Sequence, residues 1–342
     1  MKVLYDHQIF TLQDYGGISR YFYELIGSYE HQTVLTSRVS LYLSNNHYLK
    51  HMPNSKHKSF FEHTNFVGRE RIMSTVNRSV STMQLLHGNF DVFHPTYYSP
   101  YFLRYIGKKP FVRTVYDMIH ELFPSQFKNT QSVIQGKKEC INSANIIICI
   151  SENTKKDLLE TYNVPAEKVK VIYLASSLKP FYEPEQNSFY KEYNFVRPYI
   201  LYVGKREGYK NFSILMDAYT QDLSDVFDIV CFGAKPFSTE EKSFIKKLGL
   251  QNNVKYVNGD DNLLCSFYKN AFCLVYPSLY EGFGIPPLEA MSMGCPVIAS
   301  NSSSIPEVVG DGGILFDPKS KDSLISAIYR LLDNKYERSS IL

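Results

Sequence analysis

Along this chain, short runs of β-branched and aromatic residues alternate with longer segments whose apolar residues recur at helical spacing. That alternation marks parallel α/β layering, because two parallel strands need a crossover long enough to hold a helix. In the first half the pattern predicts strands at Val3–Asp6, Asp91–His94, Phe111–Asp117, Asn145–Ser151 and Lys170–Leu174. One helix opens at Tyr15-Gly16-Gly17 and carries Ser19, Phe22, Leu25 and Ile26; another, capped by Ser151 or Asn153, runs to Tyr162. Residues 176–198 interrupt the pattern with Pro180, Pro184 and Pro198 and read as an interdomain linker. Strands then resume at Tyr199–Val203, Asp228–Phe232, Val254–Val257, Phe272–Tyr276 and Val297–Ala299. Helices fall at about Phe212–Tyr219, Thr239–Leu248, Asn262–Tyr268, Pro287–Met293 and Lys321–Leu332. The expected architecture is α/β: two doubly wound, Rossmann-like domains, 1–175 and 199–342, facing each other across a cleft. In such sheets ligands sit beyond the carboxyl ends of the strands.

Composition narrows the class. With 342 residues, 44% hydrophobic and 21% charged, the chain is ordinary globular protein rather than disordered or collagen-like. Its six cysteines form no Cys-x-x-Cys pair and most lie in apolar stretches, so buried reduced thiols are expected, not a zinc site or a disulfide framework. The opening MKVLYDHQIF lacks the basic and apolar regions of a secretory signal. Apolar runs such as Ile146–Ile150 are far shorter than the ~20 residues that span a bilayer. A cytoplasmic protein is therefore expected.

The net charge of +3 hides an asymmetry. Up to Phe195 there are 22 basic and 17 acidic residues; beyond it there are 15 and 17. Much of the excess lies in residues 47–87, where Lys50, Lys56, Lys58, Arg69, Arg71 and Arg78 face only Glu62 and Glu70. Phe60, Phe61, Phe66, Val67, Ile72, Met73 and Val76 are interleaved with them. A basic amphipathic segment of this kind can lie on an anionic membrane surface. A solvated helix pair on the exterior is the alternative. No nucleic-acid-binding motif accompanies the bases, so nucleic acid is not an expected partner.

The strongest chemical signal is Tyr280-Glu281-Gly282-Phe283-Gly284-Ile285-Pro286-Pro287-Leu288-Glu289-Ala290-Met291. A strand ends near Pro277, and a glycine-bearing loop then enters a helix with proline at its first positions. Gly282 and Gly284 permit close backbone approach to a ligand, and a helix N-terminus favours anions. The carboxylates Glu281 and Glu289 suit sugar or ribose hydroxyls, which they accept as hydrogen-bond donors.

Continued through Gly294-Cys295-Pro296-Val297-Ile298-Ala299-Ser300 and Ile305-Pro306-Glu307-Val308, this stretch resembles glycosyltransferase family 4 with its Glu-x7-Glu motif. The resemblance extends over essentially the whole chain. It implies a GT-B fold and transfer of a sugar from a nucleotide donor with retention of anomeric configuration. It also implies that Glu281 contacts donor-sugar hydroxyls as a catalytic residue, and that the Gly282, Phe283 and Gly284 backbone faces the sugar and phosphates. Glu289 would then hold the ribose. In Tyr202-Val203-Gly204-Lys205-Arg206-Glu207-Gly208-Tyr209-Lys210-Asn211 the family's basic pair would grip the pyrophosphate. Lys210 matches one member; Arg206 or Lys205 meets the other, Arg206 being favoured for its bidentate fork. Asp14-Tyr15-Gly16-Gly17-Ile18-Ser19-Arg20 is similar to the N-terminal loop that closes over the donor phosphates through Gly16 and Gly17, although alone it is a plain strand–helix turn. Many family members carry a catalytic His-Asp pair, its histidine reaching the donor sugar, where this chain has Tyr116-Asp117, with His120 three residues after Asp117. Either His120 reaches the histidine's space or Asp117 takes over the role, and both are expected to line the site. The loop His94-Pro95-Thr96-Tyr97-Tyr98 likewise resembles a cleft-lining segment.

A double displacement needs a carboxylate on the sugar face opposite the leaving group. Here the carboxylates lie with the phosphate grip, so the family's front-face route fits better. Arg206, Lys210 and the helix near Pro286 would stabilise the departing diphosphate. No Asp-x-Asp triplet is present, so neither a metal nor a cofactor is expected. The opening Tyr-Asp-His-Gln and Tyr-Gly-Gly-Ile-Ser-Arg stretches resemble a mannosyltransferase-like branch that builds bacterial O-antigen or capsule. GDP-mannose is thus the expected donor ahead of a UDP-hexose, with a glycan or lipid-linked glycan as acceptor at the inner face of the membrane. A GT-B nucleotide-sugar epimerase and a non-catalytic, membrane-peripheral sugar-nucleotide binder are the alternatives. A Rossmann dehydrogenase is disfavoured, since no Gly-x-Gly-x-x-Gly follows the first strand. Family members usually end in a helix that crosses back to the N-terminal domain. With the last predicted helix ending near Leu332, a shortened or replaced brace is expected.

Overall fold

A computed structural model of the chain describes residues 1–29, 34–52, 56–64, 66–178, 186–219 and 221–333. The chain divides into two compact units, Met1–Tyr173 and Leu174–Leu342.

The first unit carries strands β1 (Lys2–Asp6), β2 (Thr36–Ser40), β3 (Val92–His94), β4 (Val112–Val115), β5 (Ile146–Cys149) and β6 (Val169–Val171). Its helices are α1 (Gln8–Leu12), α2 (Gly17–Gly27), α3 (Arg69–His87), α4 (Ile119–Leu122), α5 (Thr130–Ser143) and α6 (Glu152–Thr161). Two parallel ladders, β2-β1-β3 and β4-β5-β6, meet through a parallel bridge between Phe93 and Phe111. The Phe93 N–H donates to the Pro110 carbonyl there at 3.0 Å. The order 2-1-3-4-5-6 reverses direction between β1 and β3. The β1 residues Leu4 and Tyr5, which point to opposite faces, are both buried, as a parallel sheet requires.

Two features differ from the expected elements. Strand β2 reads Thr-Ser-Arg-Val-Ser, an edge strand with alternate side chains exposed, so its hydrophobic signal is weak. Among the described residues, the basic segment 47–87 forms one short 3₁₀ turn, Tyr48–His51, and the single helix α3, rather than a helix pair. On α3, Met73 and Leu85 are buried and Ile72 is exposed; Phe61, which precedes the helix, is 59% exposed.

The second unit carries α7 (Gln186–Glu192), β7 (Tyr199–Val203), α8 (Phe212–Ala218), α9 (Gln221–Val226), β8 (Asp228–Phe232), α10 (Thr239–Lys247) and β9 (Val254–Val257). It continues with α11 (Asp261–Asn270), β10 (Cys273–Tyr276), α12 (Ile285–Ser292), β11 (Val297–Ser300), α13 (Ile305–Val309), β12 (Ile314–Phe316) and α14 (Lys321–Asp333). All six strands pair in parallel in the order β12-β11-β10-β7-β8-β9. Numbered from β7 this is 3-2-1-4-5-6, the dinucleotide-fold order. The sheet is buried on both faces. One cluster gathers Tyr202, Phe212, Leu215, Phe227 and Ile328; the other gathers Tyr199, Leu201, Phe267, Tyr268 and Ile305.

Of the linker expected at 176–198, residues 179–185 lie outside the described residues. The remainder is not featureless: α7 forms, and Phe189 and Phe195 pack into the second unit's core. Phe189 stands 5.0 Å from Phe267 and Phe195 stacks at 4.7 Å on Tyr199. Phe189 and Tyr193, four residues apart, lie on one face and both meet Phe267. Whether the crossing brace is shortened or replaced, as expected, turns on residues 334–342, which also lie outside the described residues. All six cysteines are buried and free. Among the described residues no helix is long and apolar enough to cross a membrane.

Candidate active site

In the second unit the strand order reverses between β7 and β10. Connections leaving these two strands run to opposite faces of the sheet and open a crevice at their carboxyl ends. The loops 204–211 and 277–284 form its walls, and they are stitched together. The Leu279 N–H donates to the Tyr209 carbonyl at 2.8 Å. The Asn211 side-chain amide donates to the Pro277 and Pro318 carbonyls at 3.1 and 2.8 Å. Asn211 holds φ +55°, a left-handed conformation that asparagine tolerates better than most residues.

Across this crevice Lys210 Nζ meets Glu281 Oε1 at 2.6 Å, with 20% and 11% of the two side chains exposed. The Tyr209 and Tyr276 rings lie 5.2 and 5.8 Å from the ammonium. Burial, and then the Glu281 carboxylate, push the Tyr276 hydroxyl well above its ordinary pKa, so it stays protonated. Buried Glu289, on α12, accepts from the Tyr268 hydroxyl at 3.1 Å. Gly284 precedes α12 with φ +113°, where a side chain would be strained. Pro286 and Pro287 carry no N–H. Of the first four residues of α12 only Ile285 and Leu288 offer one, so the expected anion cradle is smaller than an ordinary helix end.

A feature that the sequence reading missed shapes this loop from below. Ser300 Oγ donates to the Ser278 carbonyl at 2.6 Å and Ser302 Oγ to the Leu279 carbonyl at 2.6 Å. Ser304 Oγ reaches the carbonyls of Glu281 (2.9 Å) and Phe283 (2.8 Å). The Glu281 N–H donates to Ser303 Oγ at 2.9 Å. Ser303 itself sits at φ +51°. The run Ser300-Asn301-Ser302-Ser303-Ser304 reads as a polar turn; only the fold reveals that its hydroxyls satisfy the backbone around Glu281.

Arg206, expected on the pyrophosphate, is paired with Glu241 here, and its Nη1 is enclosed without a partner. Its Nε donates to Glu241 Oε1 at 2.6 Å and its Nη2 to the Lys235 carbonyl at 2.6 Å, with the Phe237 ring 4.7 Å away. Burial would lower its pKa, but the hydrogen bond and charge of Glu241 raise it. Glu241 also closes the capping box of α10 with Ser238, so this carboxylate is fixed by its own helix. Lys205, the other candidate, is exposed.

The remaining expected residues lie in the first unit. Gly16 precedes α2; a Cβ there would come 2.5 Å from Gln13 Oε1, which accepts the Ser19 N–H at 3.2 Å. That amide is therefore already occupied, while a Cβ on Gly17 would meet open space. On the loop after β4, Asp117 Oδ1 accepts the Ile119 N–H at 3.2 Å. The fully buried Lys137 of α5 donates to the Asp117 carbonyl (3.0 Å) and to Glu121 Oε2 (2.8 Å). The Tyr162 hydroxyl donates to Glu121 Oε1 at 2.6 Å. His120 packs 4.7 Å from the Phe127 ring, and its Nδ1 is enclosed without a partner. Burial lowers its pKa, the Asp117 and Glu121 carboxylates oppose that, and Lys137 adds to it; the net shift favours neutral imidazole. Tyr116 donates its hydroxyl to the Thr96 carbonyl inside the core and so does not replace a site histidine. Among the described residues no cluster of three His, Cys, Asp or Glu side chains could hold a metal ion.

The family models that match the chain define the class: a glycosyltransferase, whose solved neighbours have the GT-B fold. Residues 15–175 match Glycosyltransferase Family 4 and residues 186–341 match Glycosyl transferases group 1. Together the two matches cover most of the chain, which belongs to the family 4 glycosyltransferases. It is 32% identical over 206 residues to O-antigen chain mannosyltransferase B of Escherichia coli, covering 57% of this chain and 54% of that one. It is 30% identical over 217 residues to O-antigen chain mannosyltransferase RfbU of Salmonella typhimurium, covering 63% and 59%. The chain thus spans little more than half the length of these curated relatives. Among solved structures, Anabaena Alr3699/HepE in complex with UDP and glucose superposes with TM-score 0.74 at 18% identity, over 99% of this chain and 92% of that one. WaaG, a glycosyltransferase involved in lipopolysaccharide biosynthesis, gives 0.72 at 15%, over 100% and 93%. These likenesses show the fold.

Proposed function

We propose that the chain transfers a hexose from a nucleotide-diphosphate sugar to a glycan or lipid-linked glycan acceptor in cell-surface polysaccharide synthesis, with anomeric configuration retained and no metal or cofactor required. GDP-mannose ranks ahead of a UDP-hexose as donor, which the mannosyltransferase names of the curated relatives support. The observation that carries the reading is the Lys210–Glu281 pair at the carboxyl ends of β7 and β10. Such a pair suits a ligand that is anionic at one end and hydroxylated at the other. The diphosphate takes the ammonium and the sugar hydroxyls take the carboxylate, so neither charge is stranded on binding.

In the reaction the acceptor hydroxyl attacks the anomeric carbon from the face the diphosphate is leaving, and a departing phosphate oxygen takes the proton. Lys210 and the start of α12 stabilise the charge that develops on the diphosphate. Glu289, held by Tyr268, accepts the ribose hydroxyls. Asp117 and neutral His120 line the site as catalytic residues, one or the other reaching the donor sugar.

Exposed Phe61, Val67 and Ile72 beside Lys58 and Arg71 support contact with an anionic membrane at its cytoplasmic face. Lys50 and Arg69 contribute less there, being paired with Glu62 and Asp14.

The test is a donor screen by thermal shift, with GDP-mannose, UDP-glucose and UDP-galactose, each with and without EDTA. GDP-mannose at 100 Kd should add about 2.7 kcal/mol of stability, unchanged by EDTA, and NMR of the transfer product should show the donor's anomeric configuration. Failure of every nucleotide sugar to shift the transition overturns the reading. Conversion of labelled donor without an acceptor favours the epimerase.

A further inference from the structure

The first unit holds a groove to which no role has been given. It lies where the order of its strands reverses, beyond β1 and β3, among α1, α3, the start of α5 and the turn 97–104. The inner part encloses about 310 Å³ and the outer part about 410 Å³, and the two share Arg78, Ser99, Pro100 and Tyr101 as walls. Pockets for small ligands begin at about this size.

Arg78 from α3 and Arg104 from the 3₁₀ turn Tyr101–Arg104 both line the outer part. Among the described residues neither guanidinium has an ion pair or a hydrogen bond. Arg78 lies 5.3 Å from the centre of the Tyr101 ring. Glu139, the one acid on the lining, accepts from Gln135 at 2.8 Å and stands beyond ion-pairing distance of both arginines. Elsewhere Lys137, Arg206 and Lys210 each meet a carboxylate within 2.8 Å. Two uncompensated, fork-shaped cations on one concave surface match a phosphate or diphosphate. The inner part adds the Tyr97 ring and the hydroxyl-bearing Ser74 and Ser132, a lining that fits a saccharide.

We propose that this groove is the acceptor subsite and that the acceptor is a phosphorylated glycan, its phosphate or diphosphate held between Arg78 and Arg104 and its saccharide directed toward Tyr97. This deepens the transferase reading above and rests on it.

The test titrates the full chain with inorganic pyrophosphate by calorimetry, in the wild type, Lys210→Gln and the double variant Arg78→Gln/Arg104→Gln. Both arginines are exposed, so the double variant should keep its melting temperature. Two classes of site are expected in the wild type. Lys210→Gln should lose one, and the double variant should lose the other, each lost class weakening about tenfold or more. Repeating the titration with farnesyl diphosphate separates the sources of the anion. Tighter binding than pyrophosphate at the arginine class assigns a lipid-linked acceptor; equal binding assigns a water-soluble one. Wild-type titration curves in the double variant, or a single class that vanishes with Lys210→Gln, overturn the proposal. A chain that binds no nucleotide sugar yet loses a pyrophosphate class with the arginines would sink the transferase reading while leaving the anion site standing.

Discussion

The loop after β10 in the second unit is held from below by serine hydroxyls, whereas the loop after β4 in the first is held by one buried lysine. Serines 300, 302, 303 and 304 satisfy backbone groups of residues 278–283 without adding charge. The Lys210–Glu281 pair then dominates the local electrostatics. In the first unit Lys137 brings a full charge into the core, which requires Glu121, which in turn takes a proton donor from Tyr162. Neutral bracing gives shape and leaves the field to the ligand-facing residues; charged bracing ties shape to stability.

Removing the charged brace should have the largest effect. In Lys137→Met the buried Glu121 carboxylate loses its counter-charge, and urea unfolding should show about 3–5 kcal/mol of stability lost. Adding Glu121→Gln should recover much of it. A loss below about 1 kcal/mol would mean that the loop stands without the lysine. Next comes the ligand-facing pair. Lys210→Ala should slow transfer by ~10²–10³ with a nearly unchanged melting temperature, because the pair is partly solvated. Near-normal turnover would remove Lys210 from the diphosphate. The smallest effect is expected at the neutral brace. Ser304→Ala leaves the Glu281 and Phe283 carbonyls without that donor, at about 1–3 kcal/mol, and kcat/KM should fall with it. If stability drops while kcat/KM holds, the serines do not set the geometry of Glu281.

Ten of the twelve strands among the described residues are legible as apolar runs. The exceptions were β2, whose edge position leaves half its residues polar, and the three-residue β12, hidden behind Gly312-Gly313. Glu281, Lys210 and Glu289 stood out because glycine, proline and charge coincide within short windows. Partnerships across long separations were not legible. The pairing of Arg206 with Glu241, 35 residues on, could not be read from the local motif. The serines gave no warning for the same reason, since the carbonyls they satisfy lie 21 to 23 residues upstream. Periodicity sees along an element, and these contacts join elements.

The six sequestered sulfurs have a practical corollary. Cys140 and Cys149 belong to the first unit, and Cys231, Cys265, Cys273 and Cys295 to the second. Burial raises the Cys140 and Cys149 thiols to about 11 and 12, so little thiolate exists at neutral pH even where an alkylating reagent intrudes. Each lobe thus carries its own silent clock, unreactive while closed and countable by mass once it opens.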